Sequence, residues 1–130
     1  MDKTAYQIPM VKNPRVGEEI ISTFQIMGAT KIAQQAEKEV TFHVKYVPDK
    51  EVLTVEAFEE WIKHVCQHDW DSAEHLASEV MDVFYNSLIP FYVEVKIDIQ
   101  HNSQDILVND TKLVRKQPQF EVSTTLARLL

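Results

Sequence analysis

Phe91-Tyr92-Val93-Glu94-Val95-Lys96-Ile97-Asp98-Ile99-Gln100 alternates apolar and polar side chains without a break. Successive side chains of an extended chain point to opposite faces, so this period of two marks a strand with one face buried and one wet. Upstream, Val40, Phe42, Val44 and Tyr46 alternate with Thr41, His43 and Lys45, which predicts a second strand of the same kind. A less regular strand is expected from Glu19 to Met27, with Ile20, Phe24 and Ile26 on one side. A fourth comes from Ile106–Val108 or from Leu113–Val122.

Between the two strongest strands the period changes. Val55, Phe58, Trp61, Ile62 and Val65 recur at helical spacing behind Thr54, a residue suited to an N-cap. Asp71-Ser72-Ala73-Glu74 fits a capping box, followed by Leu76, Ala77, Val80, Val83, Phe84 and Leu88 on one helical face, with Pro90 as the stop. The order is strand, strand, helix, helix, strand, strand (ββααββ). Long alternating strands suit an antiparallel sheet, and two helices on one face of a four-stranded sheet make a two-layer α+β sandwich. The expected domain spans 19–122, after an irregular lead-in at 1–18 that holds Pro9, Pro14 and Gly17, and before a tail at 123–130. Such a sheet has open edges that invite pairing, so a homo-oligomer joined through sheet edges is expected.

Composition narrows the function. The chain has 130 residues, enough for one core, and its 45% apolar content is too high for disorder. Its single cysteine, Cys66, forbids an internal disulfide. The formal charge is −7, and Lys112, Arg115 and Lys116 are the only basic cluster, so nucleic acid is not expected as a partner. No apolar run is long enough to span a membrane and no secretory signal opens the chain, so a cytoplasmic location is the default expectation. Two glycines leave no room for a Gly-rich phosphate loop.

Three segments carry a family resemblance. Thr41-Phe42-His43-Val44-Lys45-Tyr46-Val47-Pro48-Asp49, then Val52 to Trp61, then Ile89-Pro90-Phe91-Tyr92-Val93-Glu94-Val95 resemble the 7-cyano-7-deazaguanine (preQ0) nitrile reductases over residues 19–110. These are tunnelling-fold (T-fold) enzymes of the queuosine pathway. The resemblance implies a two-layer subunit that assembles edge to edge and binds a purine- or pterin-like ring at a subunit boundary.

The departures from that family fall on its chemistry. Counting back without a gap from Tyr46-Val47-Pro48-Asp49, the place of the family's nucleophilic cysteine holds Lys31 and that of its acid holds Lys38. A protonated lysine is neither a good nucleophile nor that acid, so a degenerate, non-redox protein with no catalytic residue of that kind is expected. Asn102-Ser103-Gln104 stands where the family's Arg-Gly-Gly clamp would hold a nicotinamide phosphate and supplies no positive charge, so no cofactor is expected.

One feature is kept. The family's His-Glu pair aligns with Ala73-Glu74, and the resemblance makes Glu74 the group that accepts the two adjacent N–H donors of a guanine-like edge. Leu53-Thr54-Val55 matches a stretch that grips the ring. Lys31 and Lys38 could line the vacated pocket, and Trp70, just before Asp71, could stack on a flat ligand. Against these stand plain alternatives: Glu74 as a capping residue, the lysines as solvated side chains, and Trp70 as interface filling. His64 and His68 share a helix face but lack an identifiable third ligand, so no metal is expected. Leu126, Leu129 and Leu130 could dock on a neighbouring subunit. The rival functions are an enzyme with altered catalytic residues, using His43 or His75 as its titratable group, and a structural or regulatory subunit with no ligand.

Overall fold

The computed structural model describes residues 6–101 and 107–130. The described residues form seven strands and three helices: β1 (Val11–Lys12), β2 (Ser22–Ile32), β3 (Glu37–Val47), β4 (Glu51–Val52), α1 (Val55–Val65), β5 (Asp69–Trp70), α2 (Ala73–Leu88), β6 (Tyr92–His101), β7 (Leu107–Lys116) and α3 (Thr124–Leu129). The fold is mixed α+β. Its main sheet has five strands in the order β5-β2-β3-β6-β7, and β1 pairs with β4 in a separate ribbon.

The four long strands pair antiparallel, and the expected four-stranded layout needs one correction. β5 joins β2 in parallel through Lys31↔Asp69 and Ile32↔Trp70. Two residues are too short to show a period in sequence, and this pairing exists only because α1 and the turn behind it bring Asp69 back to the sheet. β2 is also displaced relative to the sequence reading, starting at Ser22 and running on to Ile32. Gly28-Ala29-Thr30 gives no alternation, yet it pairs with Lys38-Glu39-Val40 across the hairpin.

The core lies between one face of the sheet and the helices. Val40, Phe42, Val44, Tyr46, Val93, Val95, Ile97 and Ile99 are buried on that face against Phe58, Trp61 and Ile62 of α1 and Leu76, Val80, Met81 and Phe84 of α2. α1 packs on β2, and α2 on β6 and β7. The close approach of α1 requires a glycine: a Cβ on Gly28 would meet Cys66 Sγ at 2.9 Å. The opposite sheet face carries His43, Lys45, Glu94, Lys96, Asp98 and Lys112, crossed by ion pairs such as Lys45–Glu94 at 3.7 Å and Lys112–Glu94 at 3.3 Å.

The C-terminal segment docks on its own chain. Ser123 caps α3 by accepting from Leu126 N at 3.0 Å and donates to Glu19 at 2.9 Å, while Leu126 is buried. Leu129 stays exposed. No helix among the described residues is long and apolar enough to cross a membrane.

Candidate functional site

Glu74 sits in the first turn of α2, and the local capping differs from the sequence expectation. Ser72, not Asp71, is the N-cap, and its Oγ accepts from His75 N at 3.0 Å. That register makes His75, not Glu74, the third helical residue, so no capping box forms. Glu74 is exposed and has no hydrogen bond or ion pair among the described residues. Its carboxylate still faces the positive end of the helix dipole, which favours the charge without consuming its acceptors.

His75 lies beside it in a bracket of carboxylates. The Asp71 N–H donates to His75 Nδ1 at 3.3 Å, so a neutral ring carries its proton on Nε2. Nε2 lies 3.8 Å from Glu79 Oε1, and the second oxygen of Glu79 is buried without a partner. His43, the other candidate base, is far from this end. It sits on the open face of the sheet, paired with Asp98.

Trp70 is not available for stacking within one chain. It is 2% exposed, its Nε1 donates to Val65 O at 3.1 Å, and His68 and His75 meet it edge-on. Large aromatics with a bonded N–H belong to cores, and the sequence could not distinguish this from a ring held out for a ligand.

Lys31 and Lys38 do not converge. Lys31 pairs with Glu37, and Lys38 pairs with Thr30, one position out of step along the hairpin. Alternation therefore sends Lys38 to the helix face with Val40 and Lys31 to the opposite face. A single pocket within one chain cannot be lined by both.

Leu53, Thr54 and Val55 stand at the other end of the helix layer. Leu53 is buried and its N–H donates to Tyr46 Oη at 3.0 Å; Thr54 caps α1 by accepting from Ala57 N at 3.2 Å; Val55 is 62% exposed. α1 has 11 residues, about 16 Å of rise, and seven residues lie between its end and the start of α2. Glu74 and Leu53–Val55 thus lie at opposite ends of α1, and one chain alone does not join them. The stretch 102–104, which aligns with the family's phosphate clamp, falls outside the described residues.

A concavity of ≈ 540 Å³ runs between β2 and α1, lined by Ile26, Met27, Ala29, Ile62, Lys63 and Cys66 among others. β5 covers β2 only at Lys31 and Ile32, so this groove borders an unpaired strand edge over residues 22–30 among the described residues. The Cys66 thiol in its wall is a poor nucleophile, since burial pushes its pKa up to about 11. Met27, Glu39, Thr41, Asp98, Ile99 and Gln100 line a ≈ 230 Å³ hollow on the open face.

No family model matches the chain, and no curated protein is similar to it in sequence. Among solved structures it is similar to the crystal structure of the archaeosine synthase QueF-Like in the apo form. The match has a TM-score of 0.55 at 16% identity and covers 71% of this chain and 91% of that one. A likeness at that identity is one of fold, and the arrangement fits a T-fold.

Proposed function

We propose that this chain is a non-redox T-fold protein that binds a purine- or pterin-like ring at a boundary between copies, with Glu74 as the anchor. The observation that carries the reading is the freedom of the Glu74 carboxylate. Ser72 supplies the helix cap, so the side chain is left exposed at the helix N-terminus and unpaired among the described residues. A carboxylate in that state can accept both donors of a guanine-like edge at once. The fold likeness to an archaeosine synthase, together with the resemblance of residues 19–110 to the deazaguanine nitrile reductases, favours a deazapurine among flat rings.

Two further features support the details. Glu74 and Leu53–Val55 are separated by the length of α1, so a site using both draws them from different copies. Among the described residues the outer edge of β7 has no strand partner and that of β2 is paired only at Lys31 and Ile32, by β5, which leaves two long edges for such an assembly. Nitrile reduction is disfavoured because Lys31 and Lys38 replace the thiol and acid on opposite sheet faces, and Cys66 has a raised pKa.

A thermal-shift screen with guanine, 7-deazaguanine, pterin and GTP, repeated on Glu74→Gln, tests the reading. A compound that stabilises the native protein and not the variant supports it. If none stabilises the native protein, or the variant responds equally, the reading fails. Light scattering in the same buffer tests the assembly, and a monomer would rule out the shared site.

An enzymatic reading rests on His75, which adjoins Glu74 and is held by Asp71 on one side and Glu79 on the other. A base placed there could move a proton on a ring that Glu74 orients. Turnover of a bound ring by the native protein, lost in His75→Gln with binding retained, distinguishes this enzyme from a pure binding protein.

A further inference from the structure

We propose that His64 and His68 form a chelate for a divalent transition-metal ion, with Zn²⁺ and Cu²⁺ the ions they suit. The two residues are one turn apart, His64 near the end of α1 and His68 just beyond it, and their Nε2 atoms face each other at 3.4 Å. Tetrahedral zinc with Zn–N bonds of about 2.1 Å has ligand nitrogens separated by about 3.4 Å along each edge of the tetrahedron. The pair therefore stands at the separation that two imidazoles adopt when they share a metal.

Both rings are braced before any ion arrives. Tyr6 stacks on His64, with centroids 4.6 Å apart and planes 26° from parallel. His68 rests edge-on against Trp70, whose indole is fixed by its bond to Val65 O. Holding ligands in place lowers the ordering cost of binding. Without a metal, the two nitrogens stand within reach of an N–H···N bond in which one ring donates and the other accepts. A metal ion instead uses both lone pairs.

Imidazole nitrogen selects borderline ions of the late first row, with Cu²⁺ held more tightly than Zn²⁺. The net charge of −7 raises the concentration of cations around the chain. Among the described residues no third His, Cys, Asp or Glu completes a metal-holding group with this pair, so these residues supply a two-coordinate chelate. The bound ion is exchangeable, and it sits at the α1–α2 turn rather than in the Glu74 site. The inference does not depend on ring binding.

The test is calorimetric titration of chelator-treated protein with Zn²⁺ and with Cu²⁺. One equivalent per chain is expected, with Cu²⁺ tighter, and either His64→Ala or His68→Ala should weaken binding at least about tenfold. His43→Ala should leave it unchanged. Absence of saturable binding, or equal binding by the double variant, would overturn the proposal and leave an imidazole–imidazole hydrogen bond or adventitious surface binding. Should the variants unfold, paramagnetic broadening by Cu²⁺ on the native protein decides. Loss of the His64 and His68 imidazole signals ahead of other histidines supports the site, and uniform broadening sinks it.

Discussion

His43 and Asp98 meet across β3 and β6, with Nε2 2.8 Å from Oδ2, on the face of the sheet away from the helices. Burial pulls the Asp98 carboxyl upward, but hydrogen bonds from Asp110 and His43 and the charge of Lys96 outweigh it and leave it below its ordinary value. Asp110, the cross-strand neighbour, is held above its own by the bond to Asp98.

The sign of the pH effect follows. A depressed carboxyl contributes stability that is complete above its unfolded value, about 3.9, and is lost as pH falls through the folded one. Asp110 has the opposite sense and offsets part of it. Asp98→Asn should therefore cost about 0.5–1 kcal/mol at neutral pH, as the loss of a partly exposed charge does. Urea unfolding should show the gap closing as pH falls below the ordinary carboxylate range and through the lowered folded pKa. A cost that persists unchanged in acid would assign it to shape or packing rather than charge.

The contact between Gly28 and Cys66 supplies a second test. Gly28→Ala puts a Cβ 2.9 Å from the sulfur, in the wall where α1 rests on β2. A glycine with no positive φ would ordinarily gain from this change, so a loss of about 1–3 kcal/mol measures the overpacking alone. Cys66→Ala in the same chain removes the sulfur and should recover most of that loss. The native thiol should also react slowly with a disulfide reagent at mildly alkaline pH, since burial raises its pKa to about 11.

How far the sequence shows this arrangement depends on the range of the forces involved. The alternation of Val40–Tyr46 and Val93–Ile99 and the helical spacing of Phe58, Trp61 and Val65 are local patterns with a strong burial signal, and they produced β3, β6 and α1 close to their observed bounds. β5 and the β1–β4 ribbon are two residues a strand and owe their pairing to chain returning from elsewhere. In the stretch expected to be a tail, Ser123 before Thr124 is a local capping signal, and the six residues of α3 behind it are too few to show a helical period. At the site, residue types were legible and directions were not. Lys31 and Lys38 part company through hairpin register, and Trp70 turns inward, where its indole N–H meets Val65 O. Neither is encoded in spacing.

Capping and ligand roles at α2 separate cleanly by mutation. Ser72→Ala removes the acceptor for His75 N and should cost about 1 kcal/mol in chemical denaturation. Glu74→Gln touches no internal partner and should change stability by no more than about 0.5 kcal/mol. A larger loss for Glu74 than for Ser72 would return the carboxylate to the role of a structural cap and remove the support for ring binding.

Ile89 closes α2 in the left-handed region, at φ 45° and ψ 58°, with its N–H on Tyr85 O at 2.8 Å. A β-branched residue is a rare occupant of that conformation, because its Cβ crowds the following carbonyl at a cost of about 1–2 kcal/mol. Pro90 explains why the helix stops here, but it does not require isoleucine at the stop. The side chain is 55% exposed beside Met10 in the ≈ 270 Å³ hollow at this end, so little packing offsets the strain. Ile89→Gly should then stabilise the isolated chain by about 1 kcal/mol, read as a rise in Tm. If the substitution instead lowers Tm, the exposed side chain is contributing contacts that outweigh the backbone strain. Comparing dilute with concentrated protein then locates them: a loss seen only at high concentration places Ile89 between copies, and one seen at both places it within the chain.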